Sequence, residues 1–196
     1  PGVRQTTEKF LNALQQTTMY CNEDFSSTDC LMLSALIRHR SCRINKIIFD
    51  QVNGCNPNYE FDLLPSLNNN KSVKQISLTG GKWSENFISG LIKLVQVDNP
   101  AITDLSLENI PINHVYRQQF ISQMGILWHD YFNYSAPGIA HVSLHGMKLI
   151  DRHVSLLIDG LKVNTSLTSI ELSGNCIEDN GFYAIVEAIN SNEKCH

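Results

Sequence analysis

Apolar residues recur along this chain in five short lines that share one spacing. In each line they occupy steps 1, 4, 6 and 11, and the most complete copy runs from Leu167 to Ile177. The lines start at residues 44, 73, 102, 139 and 167, so successive starts lie 29, 29, 37 and 28 residues apart. Steps 4 and 6 alternate with mainly polar steps 3, 5 and 7, so each line predicts a short β-strand.

Between the lines the apolar period changes to that of an α-helix. Phe87, Leu91 and Val95 recur at i, i+4 and i+8, and similar spacing follows the later lines over 154–161 and 182–189. Each unit is therefore predicted to be one strand plus one helix. Such a unit cannot bury its apolar face alone, so neighbours must stack, with parallel strands on a concave face and helices on the convex face. The predicted fold class is an α/β solenoid.

The apolar spacing and the asparagine at step 9 of the last line resemble the leucine-rich repeats of the ribonuclease-inhibitor class. The resemblance covers roughly residues 41–190 and is strongest in the last line, whereas Val52 and Gly81 replace the asparagine in the first two. It implies a right-handed β-α superhelix. It also implies that the side chain of Asn175 bonds backbone groups in the turn that leaves the strand.

Proteins with similar repeats include actin-filament regulators of the tropomodulin and capping-protein-linker kind, nucleotide-sensing immune receptors and the activator of the Ran GTPase. The resemblance therefore implies a protein-interaction scaffold, with cytoskeletal or signalling regulation as its context. The implied partner is another protein, and no cofactor is needed.

Residues 1–40 do not follow the repeat spacing and predict a helical N-terminal cap. Ser27, Thr28 and Asp29 precede an apolar helical pattern that begins at Cys30, which is typical of a capped amphipathic helix. The alternative is that this segment ends a further set of repeats. The five repeats then occupy residues 41–196. We predict a fragment of a longer protein, since position 1 is not Met and the fifth helix is followed directly by the end of the sequence.

Composition narrows the function. The chain has 196 residues, 42% of them apolar, which suffices for one continuous core. A net charge of −4 without a basic cluster argues against a nucleic-acid partner. The longest apolar stretch, 87–97, is about half the ~20 residues that a membrane span needs. Six cysteines without a C-x-x-C pair favour free thiols and a cytoplasmic location.

No catalytic or metal-binding motif is evident, so we expect neither an enzyme nor a metal site. Gly80-Gly81-Lys82-Trp83 lacks the remaining residues of a phosphate loop and predicts a turn. Aligning the lines places His141 beside Asp104 and His145 beside Glu108. These pairs could make binding pH-dependent, or could be solvated surface pairs of little energetic value.

Two surfaces are candidates for binding a partner protein. The first is the insertion that lengthens the third repeat, which is rich in aromatic residues, and its predicted recognition residues are Trp128, Tyr131, Phe132 and Tyr134. Alternatively, these aromatic residues pack the insertion against a longer convex helix. The second surface is the concave face, which is predicted to carry Asp104, Glu108, His141 and His145 but no aromatic residue.

Two alternative functions remain open. A GTPase-activating module would need an exposed Arg or Asn on the strand-side rim, where Asn109 and Arg117 are the candidates. A glycosylated ectodomain would carry glycans on the N-x-[ST] triplets that begin at Asn70, Asn133 and Asn164. Asparagine is also favoured in turns for its backbone conformations, which offers a structural reason for Asn164.

Overall fold

A computed structural model describes residues 12–13, 15–23, 25–54, 59–95, 99, 101–113, 116–122 and 138–192. Along these residues, each strand or pair of strands is followed by a helix. The strands are β1 Thr18–Cys21, β2 Lys46–Asp50, β3 Asn53–Gly54, β4 Gln75–Thr79, β5 Lys82–Trp83, β6 Asp104–Glu108, β7 His141–Ser143 and β8 Ser169–Glu171. The helices are α1 Ser27–Arg38, α2 Leu64–Asn68 with a π-helical turn Tyr59–Leu63 before it, α3 Glu85–Lys93, α4 Asp151–Val163 and α5 Asp179–Ser191. Residues 116–122 are also helical.

Six of the strands form one parallel sheet in the order β1-β2-β4-β6-β7-β8. The five predicted lines supply the last five of these strands, and each strand begins at step 3 of its line. The register agrees with the aligned lines, since Lys46 lies opposite Gln75, Gln75 opposite Asp104 and Asp104 opposite His141. The predicted α/β class with parallel strands is therefore confirmed.

The first strand, β1, is a difference from the sequence-based prediction, which places only helices in residues 1–40. Thr18 lies opposite Lys46, so β1 extends the sheet by one parallel strand. Helix α1 follows where it is predicted, but its N-cap is Ser26, which forms a capping box with Asp29. Strand β1 and helix α1 thus form a strand–helix unit like those that follow.

One face of the sheet is buried beneath the helices. The residues at steps 4 and 6 of the lines are buried in β2, β4, β6 and the β7 line, and they join the apolar residues of the helices in one continuous core. Near the N-terminal end the core contains five packed aromatic rings: Phe25, Phe49, Tyr59, Trp83 and Phe87. Within the described residues, no helix is long and apolar enough to cross a membrane.

The turn that follows each of the five predicted strands repeats one backbone conformation. Step 8 has a positive φ in every line, between 53° and 68°. The residues at this step are Gln51, Gly80, Asn109, Gly146 and Gly174. A left-handed conformation favours glycine or asparagine, and three of the five positions are glycine. Gly80 and Gly81 therefore form the predicted turn.

We expect Gly146→Ala to lower the free energy of unfolding by about 1–2 kcal/mol, because the left-handed conformation is strained for alanine and unstrained for glycine. The added Cβ would also approach the side-chain oxygen of Asn109, which can rotate away. The matched control is Asn109→Gly, which relieves a positive φ and should leave stability unchanged or slightly raised. Urea unfolding of both variants checks this. Equal losses in the two variants would contradict it.

Asparagine side chains tie neighbouring units together. In the turn after β8, Asn175 Nδ2 donates to the carbonyls of Leu144 and Leu172, at 2.9 and 2.7 Å, and its Oδ1 accepts from Leu149 N at 3.0 Å. The resemblance to leucine-rich repeats implies such backbone bonding for this residue. It closes the turn of the last unit against the unit before it.

A second asparagine position lies in the turns that follow helices, and its members are buried: Asn70, Asn99, Asn164 and Asn192. Asn70 and Asn164 each accept two backbone amides through Oδ1, at 2.7–3.0 Å. Asn99 Nδ2 donates to the carbonyls of Leu67 and Asn70, at 2.6 and 2.8 Å. Buried polar groups are thereby satisfied at the seams between units.

Candidate protein-interaction surface

The sheet face opposite the core presents the side chains at steps 3, 5 and 7 of each line, together with the corresponding residues of β1. We call this surface the open face. Its side chains are exposed or half-buried, in contrast to the buried residues that alternate with them. It comprises Thr18, Tyr20, Lys46, Ile48, Asp50, Gln75, Ser77, Thr79, Asp104, Ser106, Glu108, His141, Ser143, His145, Ser169, Glu171 and Ser173. A shallow depression of about 310 Å³ lies along it from β2 to β8.

Hydrogen bonds hold the carboxylates of the open face in fixed positions. Asp104 accepts from Gln75 Nε2 at 3.2 Å and from Thr103 Oγ1 at 2.6 Å. Glu108 Oε1 accepts from the hydroxyls of Ser106 and Ser143, at 2.7 and 2.9 Å. Prepositioned carboxylates lose less side-chain entropy when a partner binds.

Glu171 is oriented in a similar way on the last strand. Its carboxylate accepts from Ser173 N at 2.7 Å, and hydrogen bonding to Ser173 lowers the pKa of the Glu171 carboxyl. Glu171 therefore keeps its negative charge at neutral pH, and Lys46 is a basic residue at the opposite end of the face.

The two histidines predicted to face carboxylates have different surroundings. Asp104 and His141 are opposite each other in the sheet, as predicted. His145 lies in the turn after β7, and its Nδ1 is 2.8 Å from Ser173 Oγ. Glu108 instead bonds Ser106 and Ser143. The hydrogen bonds of Glu108 and His145 thus go to serines, and the predicted interaction between these two side chains stays a prediction.

Tyr20 on β1 is an aromatic residue of the open face that the pattern does not predict, since β1 itself is not predicted. Its side chain is 59% exposed, and its hydroxyl donates to Asp50 Oδ2 at 2.6 Å. That hydrogen bond raises the pKa of the Tyr20 phenol, so the donor stays protonated at neutral pH. The half-buried Ile48 lies opposite Tyr20 on the neighbouring strand. The face thus has an anchored aromatic ring at its N-terminal end.

The predicted recognition residues Trp128, Tyr131, Phe132 and Tyr134 lie outside the described residues, so their role stays a prediction. Two aromatic residues that precede them in the sequence, Tyr116 and Phe120, are among the described residues. Tyr116 and Phe120 are buried, and the Tyr116 hydroxyl contacts Ser89 Oγ and the carbonyl of Glu85. These two belong to the core rather than to a surface.

The residues that the two alternative functions would need instead form turns or hydrogen bonds to the backbone. Arg117 Nη2 donates to the carbonyl of Ile112 at 2.6 Å, and Asn109 forms the turn after β6 with φ 53°. Asn70 and Asn164 are buried at turns, with their amide oxygens bonded to the backbone. A bulky glycan on a buried asparagine would disrupt these turns, so the structure argues against glycosylation at these two positions. Asn133 lies outside the described residues.

The described cysteines are free thiols: Cys21, Cys30, Cys42 and Cys176. Burial is the main cause that raises the pKa of the Cys30 thiol to about 11, and burial also raises the pKa of Cys21. Cys176 is exposed. Over the part of the chain that the structure describes, no group of three or more His, Cys, Asp or Glu side chains is placed to hold a metal ion.

We expect iodoacetamide at pH 8 to alkylate Cys176 at least ~100-fold faster than Cys21 or Cys30 in the folded protein, because the thiolate is the reactive form and the buried thiols resist ionisation. Peptide mapping by mass spectrometry over time measures the three rates. In guanidinium chloride the difference should disappear. Similar rates in the folded protein would contradict the burial of α1 against β1.

No protein-family model matches the chain, and no curated protein matches its sequence. Solved structures do match its fold. The chain is similar to the C-terminal domain of tropomodulin from Caenorhabditis elegans, with a TM-score of 0.52 and 13% sequence identity. The alignment covers 94% of this chain and 92% of that chain. At this identity the similarity concerns the fold alone.

Proposed function

We propose that this chain is a leucine-rich repeat solenoid that serves as a protein-interaction module, with the open face as its binding surface. The observation that carries the proposal is the exposed aromatic ring of Tyr20, fixed by Asp50 at one end of a row of hydrogen-bonded polar side chains. Tyrosine is enriched at binding hot spots because it offers apolar area and a hydroxyl at low entropy cost.

The partner we infer is a protein surface with basic residues and an apolar contact for Tyr20. Four carboxylates of the open face, at Asp50, Asp104, Glu108 and Glu171, are each held by a hydrogen-bond donor. Opposite charges across an interface steer encounter and fix orientation. Binding should therefore weaken as salt increases, since exposed charges are screened within about 10 Å at 0.1 M.

The context we propose is cytoskeletal or signalling regulation in the cytoplasm. The similarity of fold to the tropomodulin domain is compatible with this context, and the free thiols among the described cysteines favour a reducing compartment. A rigid sheet face that binds through side chains needs no cofactor.

The test is a binding comparison with a purified partner first captured from cell extract by the wild-type chain. We expect Tyr20→Ala to weaken binding at least ~30-fold, which corresponds to the ≥ 2 kcal/mol of a hot spot. Phe61→Ala is the matched control, because Phe61 is 73% exposed but lies in the π-helical turn on the helix side. Its affinity should equal that of the wild type.

The same assay separates the open face from the aromatic insertion. If the triple variant Trp128→Ala, Tyr131→Ala, Phe132→Ala loses the partner while Tyr20→Ala keeps it, the insertion is the binding element and our assignment to the open face is wrong. Circular dichroism and thermal unfolding of each variant must first confirm that it folds.

A further inference from the structure

The last strand–helix unit exposes apolar positions that the preceding unit buries. The two units are offset by 28 residues, so Phe182 corresponds to Val154 and Ile189 to Leu161. Phe182 is 60% exposed whereas Val154 is fully buried, and Ile189 is 36% exposed whereas Leu161 is 4% exposed. The positions differ in burial although both units have apolar residues there.

The strand side of the same unit repeats this contrast. Ile170, Leu172 and Ile177 are only partly buried, while their counterparts one unit earlier, Val142, Leu144 and Leu149, are buried. Strand β8 is the edge of the sheet. We call this surface the end face, and it comprises Ile170, Leu172, Ile177, Phe182, Val186 and Ile189. A groove of about 420 Å³ lies beside it, between β8 and the end of α5.

The turn at Asn192 repeats the turn that precedes an inner strand. Asn192 Nδ2 donates to the carbonyls of Leu161 and Asn164, at 2.8 and 2.7 Å. Asn99 makes the same pair of bonds, to Leu67 and Asn70, and β6 begins five residues after it. Asn192 therefore closes a turn of the type that introduces a strand.

The first strand line of the sheet has polar residues where the last line has apolar ones. The line that contains β1 has Gln16 at step 1 and Ser26 at step 11, and both are exposed. The last unit has the apolar residues Leu167 and Ile177 at those steps. A terminal unit that faces water is expected to carry polar residues on its outer side, and the last unit does not.

We propose that the end face is an internal seam, covered by a further strand–helix unit of the same repeat that continues the polypeptide from the turn at Asn192. Its strand would pair in parallel with β8 and end the exposure of that edge. Its apolar side chains at steps 4 and 6 would cover Ile170 and Leu172, and its helix would cover Phe182 and Ile189. This inference is independent of the function proposed for the open face.

The test replaces residues 193–196 with a second copy of residues 165–192, which supplies such a unit in the correct phase. We expect the melting temperature to rise by more than about 5 °C relative to the 196-residue chain. Hydrogen exchange at the β8 amides should slow, because the added strand would pair with that edge. The matched control is the same extension with Ile170→Asp and Leu172→Asp in the added copy only, which should lose these gains.

Two results would overturn the proposal. The first is an extended chain that melts no higher than its control. The second is a 196-residue chain that dimerises in sedimentation analysis and becomes monomeric on Phe182→Asp, because a second copy would then cover the end face. A monomeric parent chain together with the stabilised extension supports the proposal.

Discussion

Phe49→Ala should lower the free energy of unfolding by about 3–5 kcal/mol, the range for removing a fully buried phenylalanine. Phe49 is 2% exposed and lies at step 6 of β2. Its ring is edge-on to Phe25 and Trp83, with centroid separations of 6.0 and 5.4 Å. Truncation opens a cavity and removes these aromatic contacts, which are worth about 0.5–1.5 kcal/mol each beyond the area they bury.

Denaturant unfolding with linear extrapolation measures this loss, and Phe61→Ala is the matched control. Phe61 has the same side chain but is 73% exposed, so its truncation should change stability by no more than about 0.5 kcal/mol. Because domains of this kind are stable by about 5–15 kcal/mol, the Phe49 variant should be close to unfolding on warming. Equal losses in the two variants would show that the aromatic cluster does not hold the first units together.

The strands that share the full apolar line could be predicted, because alternating apolar residues at steps 4 and 6 are typical of a strand that packs one face against helices. β1 could not, although Cys21 is fully buried and Met19 is partly buried at those same steps. The line that contains β1 has Gln16 at step 1 and Ser26 at step 11. With polar residues at these two steps, periodicity alone gives β1 a weak signal.

The open face was predictable in outline and not in its contacts. Alternation placed Asp104, Glu108 and His141 on that face, and the register placed His141 opposite Asp104. Which hydrogen bond each carboxylate makes depends on rotamers and on nearby hydroxyls, which a strand alignment does not contain. Tyr20 was missed together with its strand, so the face was expected to lack an aromatic residue.

The buried asparagines could have been predicted from the sequence, although not by looking for an asparagine at step 9 of each line. Asn70, Asn99 and Asn164 each stand three residues before the first apolar residue of a line. Two polar side-chain atoms at this position can satisfy backbone groups on both sides of a seam, which an apolar residue cannot. A polar position that recurs with the repeat is therefore as informative as an apolar one.

Asn99→Ala should lower the free energy of unfolding by about 2–4 kcal/mol, because each buried backbone group left without a partner costs about 1–3 kcal/mol. Asn99 is 1% exposed and donates to the carbonyls of Leu67 and Asn70, and its Oδ1 accepts from Ala101 N at 3.1 Å. Alanine removes all three bonds and leaves a small cavity at the seam. The Leu67 carbonyl keeps its bond from Asn70 N at 3.1 Å, so the cost comes from the Asn70 carbonyl and the Ala101 amide. The loss should appear in urea unfolding and as faster hydrogen exchange in β6.

The matched control is Asn190→Ala, since Asn190 is exposed on α5 and its truncation should cost no more than about 0.5 kcal/mol. Asn192→Ala tests the same bonds at the end of the sheet, where solvent can replace part of what is lost. Its cost should fall between those of the other two variants. If Asn99→Ala were as mild as Asn190→Ala, apolar burial alone would join the units and the asparagines would be turn residues without a role in stability.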